Sequence, residues 1–135
     1  MEDIIVANAQ AKTKTMKLPG PDHPITIEPN PRPVRVTWNG QVIAETKRAL
    51  TLQEAAYDPV QYIPRADVKM ALLARTDHHS YCPYKGDASY YSIEAGGRRA
   101  ENAVWSYEAP YDAMASIKGH LAFYPDRVSI EELPG

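Results

Sequence analysis

Three short segments carry the side chains best suited to chemistry. In Tyr62-Ile63-Pro64-Arg65-Ala66-Asp67-Val68, an arginine stands just before an expected helix. Its planar guanidinium can grip a carboxylate or phosphate with two parallel hydrogen bonds, and a helix N-terminus beside it would add donors. The plainer alternative is that Arg65 pairs with Asp67 or another nearby acid and only fixes the turn. In Cys82-Pro83-Tyr84-Lys85-Gly86-Asp87-Ala88-Ser89-Tyr90-Tyr91, a thiol lies three residues from an ammonium. Folded back over Cys82, Lys85 would favour the nucleophilic thiolate. Otherwise Cys82 is a small buried hydrophobe and Pro83 and Gly86 shape a turn. In Trp105-Ser106-Tyr107-Glu108, strand geometry puts Trp105 and Tyr107 on one face and Glu108 on the other. Two neighbouring aromatics line a ligand pocket or fill a core.

The remaining titratable residues form no recognisable set. His78 and His79 are adjacent, so they are poorly placed to share a metal and read as a solvated loop. Glu94, Glu101, Asp112 and Asp126 show no paired spacing. Gly96-Gly97 lacks the glycine pattern and following helix of a phosphate loop. The sequence therefore implies no metal site and no cofactor.

Those segments must be positioned by short elements, mostly strands. Val34, Val36 and Trp38 alternate with Arg35 and Thr37, the period of a half-buried strand. Asn39-Gly40 then supplies the two positive-φ positions of a type I′ hairpin turn. The return strand Gln41–Glu45 is expected to set Ile43 opposite Val36. Further strands are expected at Ile25–Ile27 on an edge, Ala49–Leu52, Val60–Ile63, Ser80–Cys82, Ser89–Ile93 and Asn102–Tyr107. Gly96-Gly97 reads as a loop tip. Leu121–Tyr124 and Arg127–Ile130 read as a closing hairpin across Pro125-Asp126. Two helices are expected. Val68, Ala71, Leu72 and Arg75 fall at helical spacing within Ala66–Arg75. Pro110–Gly119 has proline at its start and glycine past its end.

The chain of 135 residues has one-domain length, 44% hydrophobic and 24% charged residues, which argues for a folded globule. Residues 1–22 read as an arm, with at most a weak helical turn, and residues 23–135 as a single domain. Six of the 12 prolines fall between Pro19 and Pro33, excluding a helix there. Seven of the nine tyrosines lie between Tyr81 and Tyr124. With 15 basic against 17 acidic residues, net charge −2, there is no electrostatic case for nucleic acid or anionic membrane. One cysteine makes no internal disulfide. The Ile4-Ile5-Val6 run is too short for a signal-peptide core, so a cytoplasmic location is the default. A homodimer is the base-rate expectation.

Several motifs together resemble the family catalogued as domain of unknown function 427. They are HPITIEP at 23–29, VRVTWNGQVIAET at 34–46, YIPRADV at 62–68, CPYKGDASYYS at 82–92, AVWSYEAP at 103–110 and AFYPDRV at 122–128. The family is similar to β-tent proteins such as methionine sulfoxide reductase B, which implies mainly β architecture: antiparallel sheets, tent- or barrel-like, with two short helices. Many tent proteins hold zinc with paired cysteines. Cys82 stands alone here, so neither that zinc nor a two-cysteine reductase cycle carries over. The family also has a nucleotidyltransferase-like label, but no carboxylate set for divalent metal is visible in this sequence.

Carried onto this chain, the motifs imply a pocket of Arg65, Cys82, Tyr84, Lys85, Trp105 and Tyr107. The leading functional expectation is a small-molecule pocket in which Arg65 and Lys85 hold an anionic group against the aromatics. Asp87 is the acid best placed in sequence to cancel Lys85. Two alternatives stay open: an enzyme, either thiol-dependent with Cys82 as nucleophile or redox thiol or nucleotidyltransferase-like, and a tyrosine-rich interaction module without chemistry.

Overall fold

The structure, a computed structural model, describes residues 15–135. The expected helical turn falls partly on residues 1–14 and to that extent lies outside the described residues. The fold is mainly antiparallel β. Ten strands are formed by β1 (Ile25–Pro29), β2 (Val34–Trp38), β3 (Gln41–Thr46), β4 (Leu50–Glu54), β5 (Val60–Tyr62), β6 (Leu73–Cys82), β7 (Gly86–Ala95), β8 (Arg98–Ser106), β9 (Ala122–Phe123) and β10 (Ser129–Glu132). They build three sheets, ordered β1-β4-β5, β10-β2-β3 and β6-β7-β8-β9.

The four-stranded sheet is packed on both faces. Neighbouring residues of a strand point to opposite sides, and on β7 this sends Tyr90 and Tyr91 into different cores. Tyr91 and Ile93 join Val34, Val36, Ile43 and Phe123 in one cluster. Tyr90 and Ala88 join Leu52, Tyr62, Tyr107 and Ile117 in the other. The second core, between β4–β5 and the central sheet, is the one that matters for the site.

Several local expectations hold. Asn39 and Gly40 adopt φ of 50° and 76°, the left-handed pair a type I′ turn needs. Strand β1 is an edge strand, which suits Pro29 because a missing donor there breaks no ladder. Gly96-Gly97 turns β7 into β8.

Others are corrected. Ile43 does not oppose Val36: Val36 pairs with Ala44 and Thr37 with Val42. Ile43 is the extra residue of a bulge, and the bulge re-aims it into the core, where it is fully buried. The helix expected over Ala66–Arg75 is replaced by single 3-10 turns at Arg65–Asp67 and Met70–Leu72, followed directly by β6. The reason is competition for backbone partners. Val68 bridges Ala44 and Lys69 N–H donates to Ile43 C=O at 2.9 Å, so strand β3 takes the groups a helix would use internally. His78 and His79, expected in a loop, lie mid-strand in β6, both exposed.

The helix expected at Pro110–Gly119 shortens to a kinked 3-10 segment, Asp112–Ile117. Gly119 N–H bonds Tyr107 C=O instead of continuing the helix. The closing hairpin also does not form. Strand β9 pairs with β8 and β10 with β2, so the chain crosses between sheets at Pro125-Asp126. Among the described residues, no helix is long and apolar enough to cross a membrane.

Candidate functional site

Strand β4 ends at Glu54, and the next residue sets the geometry. Ala55 has φ of 48°, the left-handed region a residue with a Cβ rarely adopts. The conformation is clamped from several sides. Ala55 N–H donates to Pro24 C=O at 2.8 Å, and Gln53 Nε2 donates to Tyr57 C=O at 2.6 Å. Strain held by its surroundings is characteristic of functional positions. Here it swings Tyr57 and Asp58 over the end of the second core.

Lys85 arrives from the opposite side, in the turn between β6 and β7. Lys85 N–H donates to Cys82 C=O at 3.2 Å, closing a four-residue turn. Gly86 leaves that turn with φ of 110°, a conformation that only glycine adopts without strain. The Lys85 side chain is 8% exposed. Its Nζ donates to Glu54 Oε1 at 2.5 Å and to Cys82 Sγ at 3.6 Å. Glu54 Oε2 in turn lies 2.7 Å from His23 Nε2, and the His23 ring stacks on Tyr84 with centroids 4.2 Å apart. A polar chain therefore runs Cys82, Lys85, Glu54, His23, backed by Tyr84.

Above this chain is a cavity of about 230 Å³. Its aromatic walls are Tyr57, Tyr62, Tyr90, Trp105, Tyr107 and Tyr124, with Lys85, Glu54 and Asp58 on the polar side. The rings wall a volume rather than stacking it shut. Trp105 meets Tyr62 edge-on at 90° and Tyr124 at 44°. Trp105 Nε1 donates to Tyr62 Oη at 3.3 Å, and Tyr90 Oη bonds Ser80 Oγ at 2.9 Å and Tyr124 Oη at 3.2 Å. Tyr107 differs. It is 7% exposed and faces the cavity, yet among the described residues its hydroxyl has no hydrogen-bond partner.

The electrostatics follow from burial. Desolvation pushes the pKa of Tyr62, Tyr107 and Tyr124 well above the ordinary phenol value, so these three phenols stay neutral. Burial alone would also raise the Glu54 carboxyl. The hydrogen bonds from Lys85 and His23, with their charges, outweigh it and hold Glu54 below the usual carboxylate range. Glu54 is thus an anion facing the Lys85 ammonium. Among the described residues, no three His, Cys, Asp or Glu side chains are grouped to hold a metal.

Of the six residues singled out in the sequence, Lys85, Trp105 and Tyr107 line the cup. Cys82 packs against the same core and touches Lys85, and Tyr84 sits one layer back, behind His23. Arg65 is elsewhere. It donates to Glu108 Oε2 at 3.0 Å and to Tyr91 Oη at 3.3 Å, on the opposite face of the central sheet from Tyr90. Arg75 donates to the other Glu108 oxygen at 2.8 Å. The acid met by Lys85 is Glu54, 31 residues away, which no local spacing could have named. Glu54, Asp58, Tyr62, Tyr90 and Tyr124 were also not singled out. The tyrosine enrichment of the second half, and their places in the CPYKGDASYYS and AFYPDRV motifs, hinted at the last two.

A family model described as "Domain of unknown function (DUF427)" matches residues 26–133. The chain belongs to the domain of unknown function 427 family. The match runs from β1 to just past β10, so every wall of the cup lies within it. No curated protein matches this family member closely enough to add a relative.

Proposed function

We propose that this protein binds one small organic molecule in the aromatic cup, with its apolar body among the rings and a polar group on the Tyr107 hydroxyl. The observation that carries the reading is Tyr107 itself. Tyr107 is more than nine-tenths buried and faces the cavity, and among the described residues no protein group bonds its hydroxyl, so the cup presents an open donor and acceptor. The hydroxyls of Tyr62, Tyr90 and Tyr124 beside it are bonded to protein. A ligand would complete what the fold leaves open.

The volume is modest, the share of about eight waters in the liquid. That suits a single ring or a branched group of similar bulk. An anionic group would have to rely on Lys85 alone, since Arg65 is bonded to Glu108 and does not line the cup. Lys85 already faces Glu54, so the reading keeps the pocket without making an anion its defining feature.

The test is a titration of small single-ring compounds, read by the indole N–H signal of Trp105 in ¹⁵N NMR. The chain has two tryptophans, and Trp38→Phe assigns the signal. Compounds that move Trp105 and lose affinity in Tyr107→Phe support the pocket. Absence of any such compound across a diverse set sinks it and turns attention to the interaction-module alternative.

A further inference from the structure

The charges around the cup, taken together, say more about its occupant. Three ionisable side chains line it besides the tyrosines: Lys85, Glu54 and Asp58. Lys85 and Glu54 cancel at 2.5 Å. Asp58 is exposed at the mouth and, among the described residues, has neither ion pair nor hydrogen bond. Counting the side chains that line it, the cup therefore has an excess of one negative charge, over walls made of six aromatic rings. Ring faces are themselves electronegative and attract cations, most strongly for tryptophan. Both features select the same sign.

Resting on the pocket reading above, we propose that the ligand is a small organic cation: an ammonium, methylated ammonium or protonated nitrogen heterocycle. Its charge sits among Trp105, Tyr124 and Tyr62, and Asp58 guards the entrance. The Tyr107 hydroxyl takes the ligand's polar group. The Lys85 ammonium does not oppose this, because the Glu54 carboxylate neutralises it at contact distance while Asp58 remains uncompensated.

The experiment is calorimetric titration of the full chain with choline and with 3,3-dimethylbutan-1-ol, which has the same shape and hydroxyl but no charge. Benzoate serves as the anionic comparison. The expected result is choline binding at least tenfold tighter than its neutral isostere, with benzoate weakest. Asp58→Asn should weaken choline several-fold and leave the isostere unchanged. Because Asp58 is exposed and unpartnered, that variant should fold as the parent does.

If the isostere binds as tightly as choline, or benzoate binds best, the cation is overturned while the pocket survives. If Asp58→Asn leaves choline binding intact, the entrance charge has no part in selection and the inference fails as stated. If no compound of any charge moves the Trp105 signal, the cation and the pocket fall together.

Discussion

Lys85 Nζ and Glu54 Oε1 meet at 2.5 Å, joining the β6–β7 turn to the end of β4 with both side chains mostly buried. Removing one partner of such a pair leaves the other charge desolvated. Lys85→Met should cost about 3 kcal/mol, while Lys85→Met with Glu54→Leu should cost much less, because no orphan charge remains. Urea denaturation of the two variants checks this. Equal losses would show that the pair contributes packing alone.

Glu54 and Glu108 share an acid response. In each, burial pushes the carboxyl up, but hydrogen bonds and nearby cations outweigh it and leave the folded pKa below 4.5. A depressed folded pKa contributes stability that is present above the unfolded value and lost as pH falls through the folded one. Unfolding free energy should therefore be level with respect to these groups above about pH 4.5 and decline below it. Glu54→Gln should be weaker at pH 7 yet fall less between pH 4.5 and pH 3, measured as urea midpoints.

Tyr107 separates stability from binding. Its hydroxyl bonds no protein group, so Tyr107→Phe should change unfolding free energy by no more than about 0.5 kcal/mol, with stabilisation the expected sign. Any ligand of the cup should bind more weakly to the same variant. A clear drop in melting temperature without ligand would reveal a structural role for the hydroxyl.

Arg65 and the cup should be independent. Arg65 anchors Glu108 and Tyr91 on the far face of the central sheet, as one half of a carboxylate clamped between Arg65 and Arg75. Arg65→Ala should leave affinity for a cup ligand within about twofold, as expected for sites without shared partners. Lys85→Ala should not. A large loss in Arg65→Ala would mean that the two faces communicate.

Cys82 reports on the same ion pair. Its sulfur lies 3.6 Å from Lys85 Nζ, which also serves Glu54. With Glu54→Gln the ammonium has no competing carboxylate, so iodoacetamide should alkylate Cys82 faster at pH 7. An unchanged rate would mean the Lys85–Cys82 contact carries no electrostatic weight.

Much of the architecture is legible in the sequence because it depends on neighbours along the chain. The alternation of Val34, Val36 and Trp38, the Asn39-Gly40 turn and the Pro29 edge position are all local consequences of backbone sterics and side-chain period. The mainly β class and the family motifs follow from such signals. So does the nomination of Lys85, Trp105 and Tyr107. What local pattern could not settle was competition. The helical spacing of Val68 and Leu72 is real, but strand β3 offers their backbone better partners. Likewise Lys85 could have met Asp87 two residues away, and tertiary packing gave it Glu54 instead. Whether Arg65 joins the cup depended on which face of β7 each of two adjacent tyrosines took. That is a question of sheet stacking, decided only when three sheets pack around one strand with both faces buried.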